Sequence, residues 1–328
     1  MTLTTISLNE LVDLVRRTFV SGPEMVSSNA EQLFIQRPYE GGESQRFNEM
    51  DVETFAHNKP EGTDAVEADV VLGYSKDLSL TRMAIEITIT HEMRRRNRYQ
   101  QVGNLITGLS HFCPQRFQLD LTHRLTFATS TSYTDMDGDT VDTAMGDTYA
   151  LAYATHLVKS GDSYRNRIST DPAFSIGALE SAMELANTNI LSNFGERRVM
   201  NFNTIVTGDD PNTVHTVMKY LTSTGDPDAA HAGVTNVIKG KFRHIILPQL
   251  ATTSVGAYDS TKKRWWGLFA IGNGDGRSWP AYYVIDEPAR LSEPDIDVHN
   301  DNLSIGVRMS KGICVVSGRG AIMSCPTS

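Results

Sequence analysis

The clearest pattern in the chain is an alternation in which Met83, Ile85, Ile87 and Ile89 interleave with Ala84, Glu86, Thr88 and Thr90. A period of two predicts a strand with one covered face and one wet face. Upstream, Met50-x-Val52-x-Thr54 alternates with acids, Lys59-Pro60-Glu61-Gly62 reads as a turn, and a second extended run begins at Val66. Together these predict a long, exposed β-hairpin whose returning strand carries the 83–89 alternation. Nearer the start, Ser7 and Glu10 form a capping box, and Leu8, Leu11, Val12, Val15 and Phe19 follow at helical spacing. That is a short amphipathic helix, packed on its own core or, as an arm, on a neighbour.

Helical patterning resumes over 92–110 and, after a break expected at Pro114, over 115–126. The run ALAYATHLV at 150–158 reads as helix-like. Ser175 is a plausible N-cap for a helix whose face is Ile176, Leu179, Met183, Ala186 and Ile190. A strand over 202–207 leads to Asp210, a capping residue, and Pro211 at the first helical position, with Val214, Val217, Met218 and Leu221 as the buried stripe. A strand over 242–247 completes a strand, helix, strand unit spanning 199–250. Two further β segments, 265–271 and 281–285, flank a Gly-Asn-Gly-Asp-Gly turn, and the tail over 303–323 is strand-like again.

Composition narrows the class. Of 328 residues, 40% are apolar and 21% charged, which excludes wholesale disorder and collagen-like repeats and allows one large domain or two medium ones. The 30 Lys and Arg against 39 Asp and Glu leave a net charge of -9, the wrong sign for avid nucleic-acid binding. Nothing approaches the run of roughly 18 apolar residues that a spanning helix needs, and no export leader is evident, so neither membrane nor export is expected. Three cysteines, Cys113, Cys314 and Cys325, with no C-x-x-C spacing, signal neither a disulfide framework nor a zinc site and suit a reducing cytosol.

Candidate chemistry is thin. Asp135, Asp137, Asp139 and Asp142 suggest a calcium loop, but glycine falls at Gly138 instead of the sixth position and Gly146 stands where a bidentate Glu is required. His91-Glu92 begins like a metalloprotease helix, yet Arg95 occupies the position of the second histidine. Asp209 and Asp210 at a strand-to-helix turn would repel a phosphate. No catalytic, cofactor or metal site is therefore expected.

The organisation offers more. An N-terminal helix, a charged two-stranded projection, a long helix and then a separate α/β unit resemble, in that order, the N-arm, E-loop, P-domain spine helix and A-domain of the tailed-phage major capsid protein with the Hong-Kong-97-type fold. The densest similarity lies in 171–270. DPAFSIGALESAMELANTNILSNFGERRVMNFNTIVTG is similar to the family's helix followed by an early A-domain strand. NVIKGKFRHIILPQL, with Gly240, Pro248 and Leu250, is similar to its strand ending in Pro-x-Leu, and RWWGLF to the Trp-x-Leu strand that follows. The resemblance implies an α+β, Hong-Kong-97-like capsid fold with an N-terminal arm at 1–40, an E-loop hairpin at 41–90, a P-domain with spine helix at 91–195, an A-domain at 196–290 and C-terminal strands at 291–328 returning to the sheet. It implies self-assembly of hexamers and pentamers into an icosahedral shell around the phage genome, in the host cytoplasm. Its partners would be a portal, a separate scaffolding protein (the E-loop follows Met1 too soon for a fused scaffold), in some members a decoration protein, and packaged DNA only by loose non-specific contact. A cytosolic α/β enzyme with a site near Asp209 and an encapsulin-like compartment are the alternatives.

Charge then suggests where copies meet. Residues 40–70 carry nine acids against two bases, while Arg94, Arg95, Arg96 and Arg98 cluster at the base of the long helix. Ten residues of strand reach roughly 33 Å, so acids such as Glu49, Asp51, Glu53 and Glu61 are expected to lie beyond their own arginines and to meet those of a neighbour.

Overall fold

The computed structural model describes residues 29–327 apart from 53–54, 97–98, 226–234, 273–276, 298 and 300. The amphipathic stretch at 8–19 and most of the Gly-rich turn after Ile271 lie outside the described residues. The chain makes a short strand β1 (Ile35–Arg37), then β2 (Ser44–Val52) and β3 (Val70–Ser79), which form a two-stranded antiparallel sheet. Next come β4 (Thr81–Ile89), the short helix α1 (His91–Arg95) and the helix α2 (Tyr99–Thr126). Two small hairpins follow: β5 (Ser132–Thr134) with β6 (Thr140–Asp142), and β7 (His156–Leu157) with β8 (Ser163–Tyr164). Then come α3 (Ile176–Thr188), β9 (Thr204–Thr207), α4 (Pro211–Thr222), β10 (Arg243–Ile246) and β11 (Trp266–Phe269). The last stretch is β12 (Ala281–Leu291), β13 (Asp295–Ile296), β14 (Leu303–Val315) and β15 (Ala321–Ser324). The fold is α+β.

The 83–89 alternation does form a strand, but not the returning strand of the hairpin. β4 pairs antiparallel with β14 over nine consecutive residues, from Thr81 opposite Lys311 to Ile89 opposite Leu303, and the hairpin returns through β3. Alternation reports that one face is covered; it carries no information on which strand lies alongside. β14 is the spine of a five-stranded sheet, flanked by β4 and by β12, with β1 beyond β12 and β13 on its early residues.

Against this sheet lies α2, unbroken at Pro114. Leu109, Cys113, Phe117, Leu121 and Leu125 recur every four residues and are all buried in the main core with Ile89, Ile305 and Val307. A proline inside a helix costs about 3 kcal/mol, whereas burying each large apolar side chain returns about 1.5–3 kcal/mol. Four such side chains outweigh the proline, so the expected interruption does not occur. The ALAYATHLV run is not helical either. Its apolar residues Leu151, Ala152 and Val158 are buried, but through an irregular path fixed by His156, whose Nδ1 sits 2.6 Å from Asp147 while Nε2 faces the Leu151 carbonyl at 3.2 Å.

The strand, helix, strand unit is present as expected. β9 and β10 are parallel and joined through α4, and β11 and β15 extend the sheet in the order β10, β9, β11, β15. Ser175 caps α3 by accepting from the Ala178 N–H, and Asp210 caps α4 by accepting from the Thr213 N–H at 3.1 Å. One sheet face, with Ile205, Leu268 and Ile322, packs on α3 and on Val217 of α4; the other, with Val206, Ile245, Phe269 and Met323, joins the core around α2. Both faces are covered, which is why β9, β11 and β15 are buried at every position. The stripe on α4 is rotated from expectation: Thr213 and Val217 are buried, whereas Met218 is exposed.

Candidate functional site

The feature that sets this molecule apart from a self-sufficient fold is the β2–β3 hairpin. Its inward face is seated on the body. Phe47 stacks on Tyr282 with ring centroids 4.7 Å apart, Lys76 pairs with Asp142, and Leu78 is buried with Val284, Cys314 and Val316. Gly312 of β14 is required there, because a Cβ would fall 2.1 Å from Leu78 Cδ2.

Further along the hairpin the inward residues are acids, and they enter a buried ionic node. Arg319, 2% exposed, places Nη1 2.5 Å from Glu49 Oε1 and 3.3 Å from Asp51 Oδ2. Its Nη2 donates to Asn193 Oδ1 at 2.9 Å. Asp51 also accepts from the Asn193 N–H at 2.8 Å and from Arg198 Nη1 at 2.6 Å. Two acids and two arginines thus balance, as burial of charge demands. The register slips between Asn48 and Met50, so that Gly73 passes over the node; a Cβ there would lie 2.4 Å from Asn193 Nδ2 and 2.9 Å from Glu49 Oε2.

The outward face is different. Met50 stands opposite Leu72 and Val52 opposite Val70. These four, with Phe55 and Val66 beyond them, are all more than half exposed, and residues 55–69 at the tip are exposed throughout. A two-stranded ribbon bearing an uncovered apolar ladder is suited to docking, since contiguous apolar surface in water marks an interaction site.

The predicted contact residues scatter. Glu49 and Asp51 do not lie beyond the arginines of their own chain: they are held by Arg319 and Arg198. The reason is that half of the hairpin lies along the body before it projects. Glu61 is exposed at the tip and Arg95 is exposed on α1. Arg96 lies 3.3 Å from Glu92 in the same chain. The backbone of Arg94 belongs to α1, while Glu53 and Arg98 lie outside the described residues. Sequence reasoning missed Arg319, Arg198 and Asn193. A signal existed for the first: Arg319 is a lone charge between two glycines in an otherwise apolar and small-residue tail.

The turn at Asp209 lends no support to an enzyme. Asp209 is exposed, and the Asp210 carboxylate is engaged by both the N–H and the hydroxyl of Thr213. The Asp-rich loop is organised by an arginine: Arg116 Nη2 reaches Asp135 at 2.8 Å and Asp137 at 3.2 Å. Among the described residues no three His, Cys, Asp or Glu gather as a metal site, and no helix is long and apolar enough to cross a membrane.

No protein-family model and no curated protein sequence matches the chain. Solved structures do. The capsid of cyanophage P-SCSP1u is 13% identical over 89% of this chain and 86% of that one, with a TM-score of 0.51. The capsid of cyanophage Pam1 is 13% identical over 92% of both chains at 0.50, and the capsid of Ralstonia phage GP4 is 12% identical over 92% of this chain and 89% of that one at 0.50. At such identity the likeness is one of architecture, and the chain has the fold of phage capsid proteins.

Proposed function

We propose that the protein is the major capsid protein of a tailed phage, with the Hong-Kong-97-type arrangement. Residues 1–40 are the N-arm, the β2–β3 hairpin within 41–90 is the E-loop, α2 is the spine helix of a P-domain at 91–195, the β9–β11 sheet with α3 and α4 centres on the A-domain at 196–290, and 291–328 return to the long sheet. Copies assemble as hexamers and pentamers into an icosahedral shell in the host cytoplasm and mature into the virion, with a portal, a separate scaffolding protein, in some phages a decoration protein, and only loose contact with packaged DNA.

The observation that carries this reading is the outward hairpin face, where Met50, Val52, Val70 and Leu72 form cross-strand pairs in water while the inward face of the same ribbon is firmly seated. Assembly removes such a ladder from solvent at about 25 cal/mol per Å² of apolar area. The contact expected from charge is kept for Glu53 and Glu61 facing Arg94, Arg95 and Arg98 of a neighbour. The test is Met50→Asp with Leu72→Asp, which inserts two charges into the face without touching the anchored side. The variant is expected to remain a folded monomer by circular dichroism and to form no particles. Particles in normal yield would remove the hairpin face from the interface.

A further inference from the structure

β14 turns alternate residues toward α2. Six of the seven inward positions from Leu303 to Val315 belong to the main core, and the seventh is Lys311, only 4% exposed. Its ammonium group offers three donors. Among the described residues it finds one hydrogen-bond acceptor, Oδ2 of Asp120 on α2. On another side Nζ faces the ring of Phe117, 5.6 Å from the centroid. A buried charge that satisfies one donor in three is costly to keep. Burial pushes the Lys311 amine down; Asp120 pulls it back, while Arg124 and Arg116 push the same way as burial.

The acid of the pair is prepared from its other side. Arg116, one turn earlier on α2, donates from Nε to Asp120 Oδ1 at 3.0 Å. Arg116 has acids of its own, with Nη2 2.8 Å from Asp135 and 3.2 Å from Asp137, so its charge stays balanced without Asp120. Asp120 has 16% of its side chain exposed. A cavity of about 70 Å³ adjoins both residues, between Tyr133 and Val141, and has room for a water molecule.

We infer that Lys311 and Asp120 condense to an isopeptide bond that joins β14 to α2 within one chain. Transfer of one proton from the ammonium to Oδ2 converts the ion pair into a neutral amine and a neutral carboxyl, the form a buried site favours. The nitrogen lone pair attacks Cγ and the C–N bond forms. The negative charge that develops on Oδ1 is met by Arg116 Nε, which is already in place. The nitrogen then gives up a second proton, the Cγ–Oδ2 bond breaks and Oδ2 leaves as water. An ammonium and a carboxylate have become one amide and one water, and nothing is oxidised or reduced. The fold holds the reacting groups together and keeps bulk water from reversing the step. The amide needs a partner for one N–H where the ammonium needed three. The bond closes a covalent loop between positions 191 apart, on the two elements that frame the main core. The inference concerns the single chain and stands or falls apart from the shell reading.

The experiment is mass spectrometry of the purified full-length chain, denatured after incubation in the folded state. The chain is expected to be lighter than its sequence by one water, and digestion to yield one branched peptide joining the segments that contain Asp120 and Lys311. Amine acylation of the denatured chain should spare Lys311. Lys311→Met, which keeps the buried volume, is expected to restore the full mass. Asp120→Asn supplies a second test that retains the shape of the site: an amide that condenses with Lys311 loses ammonia in place of water. A folded wild-type chain of full mass, with Lys311 fully acylated on denaturation, would overturn the inference. So would a water loss that maps to a succinimide at Asp137-Gly138 with the Lys311 amine free. Neither result would bear on particle formation.

Discussion

Arg319 and Glu49 are 270 positions apart in the chain, and their side chains meet at 2.5 Å in a buried site. That ion pair ties the C-terminal segment between β14 and β15 to the root of the projecting hairpin. Arg319→Ala leaves Glu49 unpaired and Asp51 with only Arg198, and is expected to destabilise the fold by about 3–5 kcal/mol. Chemical denaturation measures the loss, and hydrogen exchange should rise first in β2. Arg319→Met with Glu49→Gln is expected to recover part of it, because Asp51 keeps Arg198.

The hairpin crosses this node only because residue 73 has no side chain. Gly73→Ala is expected to lift the ribbon from Asn193 and to destabilise by about 1–3 kcal/mol, as overpacking does. Gly177 is a useful contrast, since a Cβ on this α3 residue meets nothing within 4 Å. Gly177→Ala is expected to raise stability by about 0.5–1 kcal/mol. Thermal melts of the two variants should move in opposite directions.

Burial between α2 and the 252–258 segment pushes His123 down to about 4, against the opposing pull of Asp120. With the folded value below the unfolded value of about 6.5, the unfolded chain takes up the proton first. Its contribution is complete above pH 6.5 and declines as pH falls toward 4, by about 3 kcal/mol in all. His123→Gln should flatten the difference in unfolding free energy between pH 7 and pH 4; an identical slope in the variant would assign the acid sensitivity elsewhere.

Cys113, Cys314 and Cys325 are buried and unpaired, and burial pushes the thiols of Cys314 and Cys325 up to about 12. Only the thiolate is a good nucleophile. The native protein is expected to resist alkylation, the denatured chain to react at three sites, and a non-reducing gel to show one monomer band. Rapid labelling of native protein would contradict this packing.

What was legible in the sequence was what local chemistry decides. Ser175 at the start of α3 and the Asp210-Pro211 pair at the start of α4 are caps whose partners lie three residues away, and both are found where expected. The crossover from β9 through α4 to β10 was legible for the same reason. Pairings at long range were not. The 83–89 alternation marked a strand but not its distant partner, with Met83 opposite Met309 and Ile89 opposite Leu303, and the acids at 49 and 51 gave no hint of Arg319. Pro114 and the 150–158 run failed in the same way, because tertiary burial of Phe117 and Leu121, and of His156, overrode local preference. The predicted residues Glu61 and Arg95 are exposed but not brought together within one copy.

The central claim is self-assembly, and electron cryomicroscopy of particles purified from cells expressing the chain with a candidate scaffolding protein tests it most directly. Closed shells of uniform diameter are expected, built from hexamers and pentamers with the β2–β3 hairpin of each copy laid on a neighbour. Dispersed monomers or shapeless aggregate, from protein that is folded by circular dichroism, would contradict the account.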